Sequence, residues 1–554
     1  MIAKLTKLMS MSALALAVLL SAGAGPLGES PASSPEDPVL RAMKIELARS
    51  KSQLKLEQMA APYYIDYQIV DVEERVAEAA YGALRSNLHM RFRFLRVVVR
   101  VGDYKQDSYF GQGEGTLDFA PLDDDELALR HQLWLATDRA YKVATESLAA
   151  KQAQLKQLKV DQPVDDFAHA EPLQHLEPLA KLDADATPWL KTIQDASALY
   201  KTDPQVESMT SSLEFQAVNR YFVNTEGSIV RTGETSYQAS LGASTQAADG
   251  MRLDQSAGYG RRDLKDLPTT EKFLARAAEM IGTLKDLRAA PLADEEYRGP
   301  VLFSSHAAST VFADLVGENI RGRRPNLGQP VRTRGGFASS YKSRVLPDFL
   351  SVVDDPTQAS YDGKPLLGHY EVDDEGVKAE RVLAVEKGNL VSYLLGRQPI
   401  RDFPSSNGHG RGRLPAGAPE PSVGNLIVTA SEKVPKAELK KKLIELCQQH
   451  EQPYGYYVET LPRLRNPGLL YKVWAKDGHE ELIRGAVFAD LDVRSLRNDL
   501  VAAGDDMYSW NWTQNIPHSV VNPSVLFDEL ELKRTDQNKS TLPEYPPPPL
   551  APAE

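Results

Sequence analysis

Between Ser211 and Gly260 the chain alternates apolar and polar residues, and it breaks the alternation only at turn sequences: Asn224-Thr225-Glu226-Gly227, Thr232-Gly233 and Asp249-Gly250. A period of two sends successive side chains to opposite faces. Runs such as Arg220–Val223 and Ser236–Leu241 therefore predict an antiparallel meander of half-buried strands. The stretches 63–72 and 91–101 (RFRFLRVVVRV) carry the same signature in aromatic and β-branched residues. Arg91, Arg93 and Arg96 look like a basic patch there, but read first as the wet face of a strand.

Helical spacing marks 39–60, 123–159 and Thr269 to Leu287. The second of these opens with Asp123-Asp124-Asp125-Glu126 and ends among lysines, which suits a helix dipole. The stretch that follows it, to Pro204, reads as loosely packed, within an elaboration of the domain at about 105–205. PLADEEYRG, near 291–298, breaks the pattern and marks a boundary. Beyond it the spacing predicts a strand at Val301–Ser304 and a helix at Ala307–Val316. A mainly β region follows, with turns at Asp362-Gly363, Glu375-Gly376, Lys387-Gly388 and Asp477-Gly478, interrupted by a helix at Lys436–Gln449. The fold class is α+β with two domains, 39–290 and 298–534. A flexible leader at 25–38 and a Pro-rich, disordered tail at 535–554 flank them.

The 554 residues are 42% hydrophobic and 25% charged, an ordinary globular balance. A mean hydropathy of −0.38 excludes a multi-span membrane protein. A net charge of −12 argues against nucleic acid as a partner. The single cysteine, Cys447, excludes an intrachain disulfide and a cysteine-based zinc cluster. Lys4 and Lys7, the short apolar run Met9–Leu20 and Ala22-Gly23-Ala24 read as a signal peptide over 1–24. Cleavage would take the charge to −14, leave no membrane span and deliver the protein to a periplasm or the exterior.

No H-E-x-x-H, G-x-S-x-G or P-loop sequence occurs. Asn407 to Arg413 (NGHGRGR) reads as a mobile loop at the rim of a site, with His409 and Arg411 as candidate substrate contacts. Asp354-Asp355, Asp373-Asp374-Glu375 and Asp505-Asp506 read as turn residues, with acid–base or cation-binding roles as the alternative. No two of the ten histidines stand four apart on one helix. His306, at a strand-to-helix junction, is the most suggestive, and alone it reads as a packing or capping residue.

Six segments in order resemble the TldD/PmbA family, metallopeptidase-related proteins once called modulators of DNA gyrase. They are GPVLFSSHAASTVFADLV (299–316), SVVDDPT (351–357), DDEGVKAER (373–381), KGNLVSYLLGR (387–397), SNGHGR (406–411) and SVVNPSVLFDELEL (519–532). The resemblance implies a two-domain subunit that pairs with another to enclose a chamber where extended or unfolded peptide is cut. It also implies, in zinc-bearing members, H-E-x-x-x-H on the first helix of the C-terminal domain and a cysteine nearer the C-terminus. Three protein ligands leave a fourth position for water.

This sequence departs from that pattern at every ligand. Ser305 stands for the first histidine, His306 for the glutamate and Thr310 for the second histidine. Tyr508 to Pro517 holds no cysteine, and Cys447 lies elsewhere. Hydroxyls bind zinc poorly beside imidazole and thiolate. The resemblance therefore implies a metal-free subunit or pseudo-peptidase that grips extended peptide beside a TldD/PmbA-like partner, as a homo- or heterodimer, with no cofactor. The alternative is an active metallopeptidase whose site is rebuilt from His306, His518 and acids such as Asp373 or Glu375. A stand-alone envelope scaffold is a weaker third.

Overall fold

The computed structural model describes residues 37–55, 59–158, 164–513, 516–535, 539–546 and 548. The signal peptide, most of the leader and half of the Pro-rich tail lie outside them.

The N-terminal half is built on one sheet of β1 (Tyr64–Ala80), β2 (Ala83–Arg100), β3 (Thr116–Phe119), β4 (Gln174–Leu176), β5 (Val206–Asn224), β6 (Ile229–Gln246) and β7 (Arg252–Arg261). The order is β3-β2-β1-β5-β6, and β4 and β7 share the far edge of β6. The meander is β5–β7. β1 and β2 run far past the predicted strands, because Tyr81 and Gly82, both at positive φ, close a tight hairpin.

One face of this sheet is covered by helices. α1 (Pro38–Gln53) and α2 (Glu126–Leu158) lie over Ile65, Tyr67 and Ile69, and α3 (Thr187–Ala198) and α4 (Thr270–Ala289) lie over Ala77, Ala79 and Phe215. The other face receives loops of the C-terminal half. Leu414 and Ala416 pack on Val70, Val72 and Val218, and Val372 packs on Phe222 and Val230. Covering both faces overturns two expectations. Arg93 and Arg96 are not wet: they are 2% and 6% exposed, and Arg93 donates to Asp71, Asp124 and the Pro121 carbonyl. Nor is the stretch between α2 and Pro204 loose: Ala186, Ile193 and Ala196 are buried in the core, and Ala168 exchanges hydrogen bonds with Arg397.

Among the described residues the C-terminal half has two large sheets and two two-stranded ribbons. β8 (Glu296–Phe303) sits inside one, flanked by Tyr454–Thr460 and Val525–Arg534. In the other, Leu350–Asp354, Asn425–Ala430 and His518–Asn522 are inner strands and Tyr508–Trp512 is an edge. One apolar core joins both sheets and encloses α5 (Ser305–Phe312). α6 (Lys436–Gln449) covers the outer face of the β8 sheet through Leu439, Leu443 and Cys447.

The acidic turn 373–376 docks the halves. Asp373 Oδ1 accepts the Glu375 and Val377 amides, as a turn aspartate does. Gly376 has φ +76°, and a Cβ there would meet the Phe222 ring at 2.6 Å. Arg262 reaches across to the Leu367 carbonyl at 2.7 Å. In the described part of the C-terminal segment, Lys539 pairs with Met251 and the Ser540 amide donates to Gly250.

Candidate functional site

β8 leads into α5 at the place where zinc-bearing relatives would carry their motif. Ser304 caps the helix: its Oγ accepts the Ala307 amide at 3.0 Å and its hydroxyl donates to the Glu459 carbonyl. Asn522, fully buried, clasps the first turn to the sheet. Its Nδ2 donates to the Ser305 carbonyl at 2.8 Å, and its Oδ1 accepts the Ser309 hydroxyl at 2.9 Å. The Thr310 hydroxyl donates to the Leu461 carbonyl at 2.7 Å. Small hydroxyl residues thus tie a short helix into the core.

His306 points into an aromatic row. Tyr508, Trp510 and Trp512 alternate along one strand and so share a face. The His306 ring centroid is 4.8 Å from that of Trp510 and 5.4 Å from that of Tyr508, and Trp510 lies 5.7 Å from Trp512. The strand runs into the N-terminal sheet, where Thr513 bonds Gln238 and sits over Gly260. Burial first, and the nearby Arg276 guanidinium second, hold the His306 imidazole below its usual pKa. Burial likewise raises the Tyr508 hydroxyl. Among the described residues no hydrogen bond reaches either ring nitrogen of His306.

These residues do not fit a zinc ion. The hydroxyls of Ser309 and Thr310 are committed to protein acceptors, and His306 is the single imidazole on the helix. Among the described residues no three histidine, cysteine, aspartate or glutamate side chains gather as a metal would need. His518 stacks on Trp512 at 5.2 Å with its Nδ1 by the Ile516 carbonyl. Asp373 and Glu375 belong to the docking turn, and Cys447, its thiol pushed up to about 11 by burial, lies under the other sheet. The structure does not gather His306, His518, Asp373 and Glu375.

His409 and Arg411 lie inside the protein rather than at a rim. His409 is fully buried, with Nε2 3.1 Å from Asp354 Oδ1. Arg411 lies over the Tyr370 ring and bonds Asp374. They hold the docking turn and the strand behind it. Sequence reasoning passed over Tyr508, Trp510 and Asn522. The alternation in Y-S-W-N-W was the available signal, and it had been read only for its lack of cysteine.

Residues 296–534 match the profile of the PmbA/TldA metallopeptidase C-terminal domain. A protein named "Metalloprotease" from Methanothermobacter thermautotrophicus is 25% identical over 228 residues, 39% of this chain and 44% of that protein. The match thus spans less than half of that relative. A proposed DNA gyrase modulator from Thermotoga maritima superimposes with a TM-score of 0.60 at 15% identity, covering 89% of this chain and 99% of its own. TldE from Thermococcus kodakarensis does so with a TM-score of 0.56 at 13% identity, covering 89% and 99%. Those two likenesses concern the fold. The profile makes the C-terminal half, residues 296–534, a domain of the PmbA/TldD family of metallopeptidase-related proteins.

Proposed function

We propose that this protein is an exported, metal-free TldD/PmbA subunit that binds extended peptide and completes a chamber with a TldD/PmbA-like partner. The observation that carries the reading is the state of α5. Of the positions that would hold metal ligands, Ser305 carries only a hydroxyl and is held to Asn522 through its backbone carbonyl, Thr310 donates its hydroxyl to the Leu461 carbonyl, and His306 faces Tyr508 and Trp510. Such a surface offers ring faces and a half-buried edge strand to a peptide, not a Lewis acid. Exposed apolar residues on β2 and β3, Leu88 at 50% and Phe119 at 65%, support a partner subunit. The signal-peptide reading of residues 1–24 supports export.

The test is a titration with an unstructured peptide, followed by tryptophan fluorescence and by mass spectrometry of the peptide. Saturable binding with the peptide intact is expected. Cleavage, abolished by His306→Ala, would replace this reading with the active metallopeptidase.

A further inference from the structure

A small pocket lies where the acidic turn meets β1 and β2, away from α5. It offers about 20 Å³ to the centres of water-sized molecules, and its walls include Gln68, Arg96, Arg100, Asp66, Glu375 and Phe222. Two buried polar atoms on these lining residues stand out. Arg100 is 3% exposed; its Nη1 donates to Asp107 and its guanidinium is sandwiched between Tyr109 and Phe167, yet its Nε–H has no partner among the described residues. Gln68 is 4% exposed, and its Oε1 has none either. A buried donor and a buried acceptor, both unpaired and on residues that line one small pocket, cost about 1–3 kcal/mol each unless something satisfies them.

The chemistry selects the occupant. A halide or carboxylate accepts from Arg100 but leaves the Gln68 oxygen unpaired. A metal ion or ammonium suits Gln68 but meets the Arg96 and Arg100 guanidinium groups. Water does both, and a water needs roughly 10–15 Å³ of such space and two to four polar partners.

We propose that this joint is a hydration site, in which one ordered water accepts the Arg100 Nε–H and donates to Gln68 Oε1 and to a carboxylate of Asp66 or Glu375. The water bonds β1 to β2, and through Glu375 it ties the N-terminal sheet to the turn that carries the C-terminal half. The joint is then a water-mediated contact built into the fold, as tight as a direct one and specific to these side chains.

A crystal structure of the full chain, grown with and without bromide, tests this. The expected result is a water peak within hydrogen-bond distance of both atoms, unchanged by bromide. An anomalous bromide signal in the cavity, or no density there, would overturn it. Gln68→Leu gives an independent sign. With a bridging water the variant melts lower than wild type, since Arg100 and the water lose their acceptor. With a dry cavity, removing an unpaired oxygen leaves the melting temperature unchanged or raises it.

Discussion

The His306 imidazole and the Trp510 indole lie 4.8 Å apart, centroid to centroid, at the start of α5. Burial and Arg276 keep that imidazole neutral below the usual histidine range. Protonated histidine quenches a neighbouring indole, so Trp510 reports the titration. With the signal assigned by Trp510→Phe, fluorescence is expected to change with a midpoint below about 6.5, the unperturbed imidazole value. A midpoint at or above that value would place His306 in an acidic or open setting.

Asn522 is predicted to be the main tie between α5 and the second sheet. Asn522→Ala removes both cross-sheet bonds and leaves the Ser305 carbonyl and the Ser309 hydroxyl only their bond to each other, which costs about 1–3 kcal/mol. Chemical denaturation measures it. A variant as stable as wild type would mean that the clasp carries no energy.

Asp71 lies among Arg91 and Arg93 at the middle of β1 and β2. Burial alone would raise its carboxyl, but the hydrogen bonds and charges of the two arginines outweigh it and hold the pKa low. A carboxylate so lowered contributes stability above its unfolded pKa of about 3.9 and loses it as the pH falls below. Asp71→Asn should therefore destabilise at pH 7 by about 3–5 kcal/mol, since Arg93 is left buried without its counter-charge. The deficit should shrink toward pH 3, and a pH-independent deficit would refute the linkage.

Asp66 shows the opposite sign. Burial pushes it up to about 6, against the pull of Arg96, Arg100 and Arg397, with Tyr64 bonded to it. Glu375 is raised as well, by burial first and, least, by the nearby Asp66 charge. A raised carboxyl contributes most below its unfolded pKa, and that contribution is lost as the pH rises through the folded one. Asp66→Asn should flatten the fall of melting temperature between about pH 4 and 6. An unaltered slope would exclude Asp66 as its source.

Gly376→Ala is predicted to loosen the joint. The residue sits at φ +76° with Phe222 where a Cβ would go, and the strain costs about 1–3 kcal/mol. Limited proteolysis should release the halves more readily. Wild-type resistance would show that the turn can yield.

The sequence was most legible where one residue spacing decides the outcome. Lys436–Gln449 is a helix over the predicted range, because its apolar spacing and Pro435 are local signals. The meander and the turns at Gly363, Gly376, Gly388 and Gly478 likewise follow from alternation and positive φ. What pattern could not give was the second covering of the N-terminal sheet. Arg93 and Arg96 look identical in sequence to solvent-facing strand arginines, and they are buried because Asp71, Asp124 and the loop carbonyls lie far along the chain. His409 and Arg411 were misplaced for the same reason: their partners Asp354 and Asp374 are supplied by distant turns. The ligand positions on α5 were readable residue by residue, while the aromatic row opposite them needed the strand pairing of Tyr508–Trp512 with His518–Asn522.

The most direct test is the zinc content of the full-length protein after purification in zinc-replete buffer and dialysis. Far less than one zinc per chain is predicted, with His306→Ala making no difference. One tightly held zinc per chain, lost in His306→Ala, would contradict the account of a metal-free subunit.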